Sequence, residues 1–376
     1  MAFDLHALQD LVKSSSRITP RGHGTKASAS AHASAANTLD LAHLSGIIDY
    51  QPSEFIVTVW AGTPIRDVQT LLAERGQYLP FDPLLAERGA TVGGTIAANA
   101  SGPERFRYGG VRDFIIGCRF INGNGELLQG GGKVVKNAAG FDYPKLFVGS
   151  MGTLGALVDV TFKVFPAPEA YATLRIKCDS LDEALALLPK LTNSPYDINA
   201  IDLLTHDKHV ERSVENQPML QSTRAESKRA GTPVLLIRVG GLVAGLPQRM
   251  DRVRALCGKG DVLTGNSEQA LWREAREFTW AEPNEQIIKV PVTPAKIATL
   301  DARLGDMECR YSVGGNVAWV AAPNGHALDG MLRDLGLSGL VLLNADGEQR
   351  IGLRERNIFI ERAKRALDPL GKFVNG

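Results

Sequence analysis

The chain has 376 residues, 44% of them hydrophobic, enough for two or three domains with sizeable cores. Its 42 basic and 41 acidic side chains nearly cancel, with no basic run suited to nucleic acid and no acidic tail suggesting disorder. Cys118, Cys178, Cys257 and Cys309 lie far apart without a C-x-x-C pair, which argues against zinc ribbons and iron–sulfur clusters and fits a reducing cytosol. The N-terminus shows no signal-peptide pattern, and no apolar run reaches the ~20 residues of a membrane span.

In chain order, the apolar spacing predicts a short helix over Asp4–Val12, then a low-complexity surface loop over residues 26–37. A strand is expected over Glu54–Trp60. A helix follows, with Thr63 as cap and Pro64 in its first position, burying Ile65, Val68 and Leu72 and stopping at Gly76. Leu79–Pro83 reads as a rigid extended segment. Phe114–Ile121 and Glu126–Leu128 form a hairpin around Asn122–Gly125. Leu157–Phe165 alternates as a strand and ends at Pro166-Ala-Pro168, a domain boundary.

Beyond it the rhythm changes. A strand over Tyr171–Ile176 precedes a capping box, Ser180 with Glu183, that opens a helix to about Leu191. Strands are expected at Asn199–Leu204, Val234–Val239 and Ile287–Val292, and helices at Pro247–Cys257, Ser267–Glu277 and after Thr293-Pro294. Tyr311–Ser312 and Asn316–Ala321 read as strands around Gly314-Gly315. The mixture indicates an α+β domain on one antiparallel sheet. Arg354–Leu367 is a basic amphipathic helix.

Three segments carry the chemistry: Ile18–Lys26, Ala90–Gly102 and Val148–Gly155. Each mixes glycine with Thr or Ser, a composition that exposes backbone amides and admits close approach of an anion. Gly22-His-Gly24-Thr-Lys-Ala27 matches the dinucleotide fingerprint G-x-G-x-x-A, but its context fails. Pro20 shortens the preceding strand, and the Ala/Ser run after it has no helical period. Amides around Gly22–Thr25, Gly93–Thr95 and Gly152–Thr153 are expected to neutralise a diphosphate jointly, without a lysine, in loops and not under a helix.

Pro20–Thr25, Ala90–Asn99, Val134–Asp142 and Gly149–Gly155 resemble the FAD domain of the vanillyl-alcohol-oxidase-type (PCMH-type) flavoproteins. Lys136-Asn137 with Gly140–Asp142, Ser101–Arg105 and Gly110–Asp113 are further similar to the smaller, E-type flavin-binding subunits of bacterial glycolate oxidases. The resemblance implies an α+β fold. A PCMH-type two-subdomain FAD-binding domain would occupy 1–168 and a cap domain on an antiparallel sheet 169–350. A C-terminal helix and tail, 351–376, would return to the FAD domain. It implies noncovalent FAD held by Arg21, Gly22, His23, Gly24, Thr25, Pro80, Thr91, Gly93, Gly94, Thr95, Asn99, Ser101, Gly102, Arg112, Asp113, Lys136, Asn137, Gly149, Ser150, Gly152, Thr153, Gly155 and Val158. Lys136, Asn137 and Asp142 would lie near the isoalloxazine edge, and Arg112-Asp113 would pair under the second glycine segment.

The same resemblance implies an oxidoreductase that takes electrons from a 2-hydroxy acid and passes them through flavin. The partners would be a larger FAD-binding glycolate oxidase subunit and an iron–sulfur subunit. The location would be the cytoplasm, with inner-membrane contact only through partners. Alternatives are a self-sufficient D-2-hydroxy-acid dehydrogenase and a non-catalytic assembly subunit stabilised by flavin. Single-chain dehydrogenases of this superfamily carry metal-binding histidines in the cap. The comparable stretch here, Tyr311–Trp319, has neither histidine nor acid, so no catalytic residue is assigned. His206 and His209 share a three-residue spacing that reads as a solvated helix face, and no metal is expected.

Overall fold

The computed structural model describes residues 5–26, 37–132, 141–207, 231–345, 348–354 and 357–374. Its contacts cluster into two compact units. The first comprises residues 1–167, 342–349 and 355–376, and the second 168–341 and 350–354.

The first unit is built on a five-stranded antiparallel sheet in the order Ile47–Gln51, Ile56–Trp60, Ala156–Lys163, Ile115–Ile121, Leu127–Gly131. Val57, Val59, Val158, Val160 and Phe162 are fully buried, as β-branched and aromatic residues at period two require. The hairpin turn is set by Asn122, whose Oδ1 accepts from the amides of Asn124 at 3.0 Å and Glu126 at 2.9 Å. Ile18–Arg21 and Asn37–Asp40 form a separate parallel pair. Pro20 is tolerated in so short a strand because no third strand needs its missing donor.

Two local expectations give way. The helix Ile65–Ala73 starts behind Pro64, but Thr63 does not cap it: its hydroxyl bonds Gly46, accepting from N at 3.0 Å and donating to O at 3.1 Å. Leu79–Pro83 is not extended throughout, since Asp82 has φ +52° and its amide turns back to Leu79 O at 3.2 Å.

The second unit carries a nine-stranded sheet, largely antiparallel in its recorded pairings, running from Asp261–Thr264 through Ala170–Lys177, Thr232–Gly241 and Ala200–Asp207. It continues through Glu308–Ser312, Val317–Ala322, Gln286–Pro291 and Ser338–Leu343 to Arg350–Gly352. The helix Gly265–Glu277 packs Trp272 against Ala200, Leu204, Val234 and Leu236. Ser180 opens the helix Leu181–Thr192, accepting from Glu183 N at 3.2 Å, while the Glu183 carboxylate reaches Asp179 N at 2.7 Å. His206 lies on the strand Ala200–Asp207, not on a helix, with Nε2 at 3.5 Å from Asp301 Oδ2; His209 lies outside the described residues.

The helix Ile358–Leu367 belongs to the first unit and is capped by Asn357, which accepts from Phe359 N and Ile360 N. Its Lys364 ammonium donates to Thr153 O and Phe373 O at 2.8 Å each and to Asp368 Oδ2 at 3.0 Å. Lys372 is buried and donates to Val12 O at 2.8 Å and Lys13 O at 2.9 Å, closing the C-terminus of the helix Leu5–Ser14.

Candidate functional site

All three glycine segments line one cavity of about 200 Å³ in the first unit. Arg21 ends the strand Ile18–Arg21, and Gly22, Gly24 and Thr25 come from the turn after it. Thr91, Gly93 and Gly94 come from the start of the helix Val92–Ala97, and Ser150, Gly152 and Gly155 from the turn before Ala156–Lys163. Gly152 has φ +77°, which only glycine adopts readily, while Met151 beside it holds φ +52°. A non-glycine left-handed residue in a cavity wall is a mark of a shaped binding surface.

Gly93 works differently from the sequence reading. A Cβ there would sit 3.1 Å from both Ala61 Cβ and Ala61 O, so its smallness lets the helix approach the strand end. Its amide is spent on Ala61 O at 2.7 Å, that of Gly94 on Thr91 Oγ1 at 3.3 Å, and that of Thr95 on Thr91 O at 2.9 Å. These amides are therefore bound within the protein. The amides of Gly22, Gly24, Thr25 and Gly152, by contrast, donate to no acceptor among the described residues.

The cavity wall mixes apolar and polar groups, and its charged side chains are cationic. Arg21 folds its guanidinium over Gly24, where a Cβ would lie 2.7 Å from Nη2. Lys26 lines the same space, with Nζ 3.5 Å from Thr95 Oγ1. None of the described lining residues is acidic. Two buried hydroxyls in the wall, Thr19 Oγ1 and Ser150 Oγ, have no hydrogen-bond partner. An unpaired buried hydroxyl costs about 1–3 kcal/mol, so it marks a place for a polar ligand. A dianionic group such as a diphosphate fits this set: two cations, open amides and orphaned hydroxyls. Ala61, Ala97 and Ala98 leave room beside them.

The remaining expected residues that the structure describes lie off the cavity wall. His23 is exposed and its Nδ1 sits 3.0 Å from Gly89 O. Thr95 is buried behind Lys26. Pro80 and Val158 are core residues. Ser101 accepts from Val111 N at 3.0 Å, and the Gly102 amide turns to Asp82 O at 2.6 Å. Asn99 holds φ +48°, and the Gly149 amide bonds Ile96 O at 3.0 Å. Thr153 bonds Ser150 O through Oγ1 at 2.7 Å. Arg112 and Asp113 take separate partners: Arg112 Nη1 donates to Lys145 O at 2.9 Å, and Asp113 Oδ2 accepts from Gly110 N at 2.8 Å. Lys136 and Asn137 lie outside the described residues. Asp142 caps the helix Tyr143–Phe147 and pairs with Lys145 at 3.0 Å.

Sequence reasoning missed Thr19, Lys26, Thr38, Phe147, Met151 and Gln349 as wall residues. The sequence expectation was a diphosphate site without a lysine, and Lys26, which follows the Gly22–Thr25 turn directly, departs from it. Elsewhere, burial pushes the Cys118 thiol up to about 12, with the Asp159 and Asp142 carboxylates adding to it, so Cys118 is an inert core thiol. Among the described residues no group of three or more His, Cys, Asp or Glu is arranged to hold a metal, and no helix is long and apolar enough to cross a membrane.

Residues 5–131 match the FAD binding domain family. Over 164 residues the chain is 40% identical to glycolate oxidase subunit GlcE of Escherichia coli (strain K12), covering 44% of this chain and 47% of that protein. It is 28% identical over 331 residues to glycolate oxidase subunit GlcD of Bacillus subtilis (strain 168), covering 84% of this chain and 66% of that one. The chain thus spans between about half and two thirds of the length of these relatives. Among solved structures, an alkyldihydroxyacetonephosphate synthase superposes over 98% of this chain and 74% of its own, with a TM-score of 0.68 at 15% identity. That likeness establishes the fold.

Proposed function

We propose, for a chain whose residues 5–131 form an FAD-binding domain, that the cavity between its glycine turns holds the diphosphate of noncovalently bound FAD. The observation that carries this reading is the wall itself: Arg21 and Lys26, no acid among the described residues, and two buried hydroxyls without partners. Arg21 and Lys26 neutralise charge, Thr19 and Ser150 donate hydroxyls, and Gly22, Gly24, Thr25 and Gly152 offer amides. When bound, the flavin supplies two-electron acceptance from the C–H bond of a hydroxy acid. The chain's own residues bind and orient it. His23, turned to Gly89 O, supports noncovalent attachment.

The likeness to glycolate oxidase subunits supports a finer role: an FAD-binding subunit of a 2-hydroxy-acid-oxidising assembly. In it, electrons pass through flavin to an iron–sulfur partner chain, alongside a larger flavoprotein subunit. Ile358, Phe359 and Ile360 are exposed on one short stretch of helix, an apolar patch suited to association. A second reading, a self-sufficient hydroxy-acid dehydrogenase, draws on the 32% identity to a D-lactate dehydrogenase of Anaerostipes hadrus, which covers 40% of this chain.

The test is to load the purified chain with FAD and precipitate it with acid. A yellow supernatant and a colourless pellet are expected; a colourless protein after reconstitution overturns the cofactor reading. Assayed alone with glycolate and an artificial acceptor, the chain is expected to be nearly inactive and to gain turnover when co-expressed with both partners. Turnover by the isolated chain at the rate of the assembly would instead establish the single-chain dehydrogenase.

A further inference from the structure

We propose that Lys364 is a positioning residue for the cavity's ligand: with the tail at Phe373 it clasps the first and third glycine turns together. Flavin occupancy and closure of this C-terminal clasp then favour each other. The inference rests on the reading of the cavity as an FAD site, but its residue lies outside the cavity wall.

The two turns belong to different sheets. Gly22, Gly24 and Thr25 follow Ile18–Arg21, which pairs with Asn37–Asp40 in a two-stranded sheet of its own. Gly152 and Thr153 precede Ala156–Lys163, the middle strand of the five-stranded sheet. Among the described residues no strand ladder joins these two sheets, so none fixes the distance between their turns. The tail supplies a link. Ile18 donates its amide to Lys372 O at 2.8 Å and accepts from Val374 N at 3.0 Å, in a parallel bridge to Phe373. Phe373 is 1% exposed and shares one core cluster with Ile18 and Val158.

Lys364 joins that tail to the third turn. Its three N–H donors meet three acceptors: Thr153 O, Phe373 O and Asp368 Oδ2. Thr153 in turn bonds Ser150 O through its amide at 3.0 Å and its hydroxyl at 2.7 Å, and Ser150 and Gly152 line the cavity. The fully buried Asp368 carboxylate also accepts from Lys372 N and Phe373 N at 2.9 Å each. Leu367 O accepts from Gly123 N at 2.8 Å, pinning this end of the helix to the hairpin turn of the five-stranded sheet. A charge-assisted network so fully satisfied holds one geometry. Without the ammonium, Thr153 O, Phe373 O and Asp368 Oδ2 all lose this donor, and the two turns lose a tether. Such coupling is reciprocal: whatever the clasp adds to ligand affinity, the ligand adds to closure of the clasp.

The experiment measures FAD affinity of the full-length apo chain by quenching of flavin fluorescence, and amide hydrogen exchange with and without FAD. Lys364→Met should bind FAD about tenfold more weakly, a usual size for coupled sites. In wild type, FAD should slow exchange about tenfold in peptides holding Ile18 and Phe373–Val374. The edge strand Ile47–Gln51 should be unchanged. In Lys364→Met the tail should lose that slowing even at saturating FAD. A variant that is less stable but binds FAD with wild-type affinity overturns the proposal, because Lys364 then serves the fold alone. Equal slowing in Ile47–Gln51 and in the tail also overturns it, because the ligand then stabilises the whole unit and not the clasp. Should Lys364→Met fail to fold, the wild-type exchange pattern decides by itself. A wild-type chain that binds no FAD removes the cavity reading, and the proposal falls with it.

Discussion

Around the cavity of the first unit, Thr19 and Ser150 hold buried hydroxyls that meet no protein partner. In the second unit the buried hydroxyl of Thr173 donates to Glu268 at 3.1 Å and accepts from Trp272 Nε1 at 2.8 Å. Arg238 completes that network, bonding Glu268 at 2.7 Å and stacking 3.7 Å over the Tyr171 ring. At the cavity the two hydroxyls are left open, whereas in the Thr173–Glu268 cluster the polar groups are directed at each other. A closed network fixes a unique core, whereas an open one holds interaction energy in reserve for a ligand.

The contrast breaks hardest at Glu268. Glu268→Ala strands the Arg238 guanidinium, buried with a 6% exposed side chain, and should cost about 3–5 kcal/mol in denaturant unfolding. A loss under about 1 kcal/mol means the network is not closed as described. Next comes Gly93→Val, which drives carbon against Ala61 and should cost about 1–3 kcal/mol even without flavin. Gly152→Ala faces only Pro20 at 3.4 Å and should cost about 1–2 kcal/mol through its positive φ alone.

Thr19→Val and Ser150→Ala sharpen the comparison. Removing an unpaired buried hydroxyl should leave apo stability within about 1 kcal/mol of wild type or raise it, while FAD affinity falls. Equal apo destabilisation by Ser150→Ala and by Thr173→Val in the second unit would falsify the distinction.

The smallest effect is on pH dependence, and the two units carry opposite signs. Burial raises the Asp159 carboxyl above its ordinary value, although the Arg119 guanidinium at 2.5 Å pulls it down. The native state then holds more protons than the unfolded chain between the two values. Asp159 therefore lowers stability as pH rises through that window. Asp329, which accepts from Gly352 N at 2.8 Å and lies beside Arg333 and Arg354, is held below its ordinary value. Its contribution is present above pH ~4 and lost as pH falls. Unfolding of Asp159→Asn and Asp329→Asn from pH 3 to 6 should shift in opposite directions with pH.

Local patterns made the sheets legible. The IVTVW run of Ile56–Trp60, the Asn122–Gly125 turn and the Ser180 cap are dictated by residues a few positions apart. The glycine turns were legible as a set, because their composition is itself the signal. The roles inside them were not. The local composition makes Gly93 an anion cradle, but its amide belongs to Ala61, a partner 32 positions upstream that no spacing rule names. Thr63 is a parallel case: its sequence neighbours suit a cap, while Gly46 claims the hydroxyl. Lys26 and Thr19 escaped because their meaning depends on what a fold brings opposite them.

Lys364 holds the Thr153 carbonyl from 211 positions downstream. At roughly 5–20 residues per second, synthesis of that interval takes about 10–40 s. Throughout it, the Gly152 turn is made but lacks the lysine that steadies its neighbour. We expect purified chains truncated before Asn357 to retain less flavin than chains that include Lys364 and Phe373, read by flavin absorbance per protein.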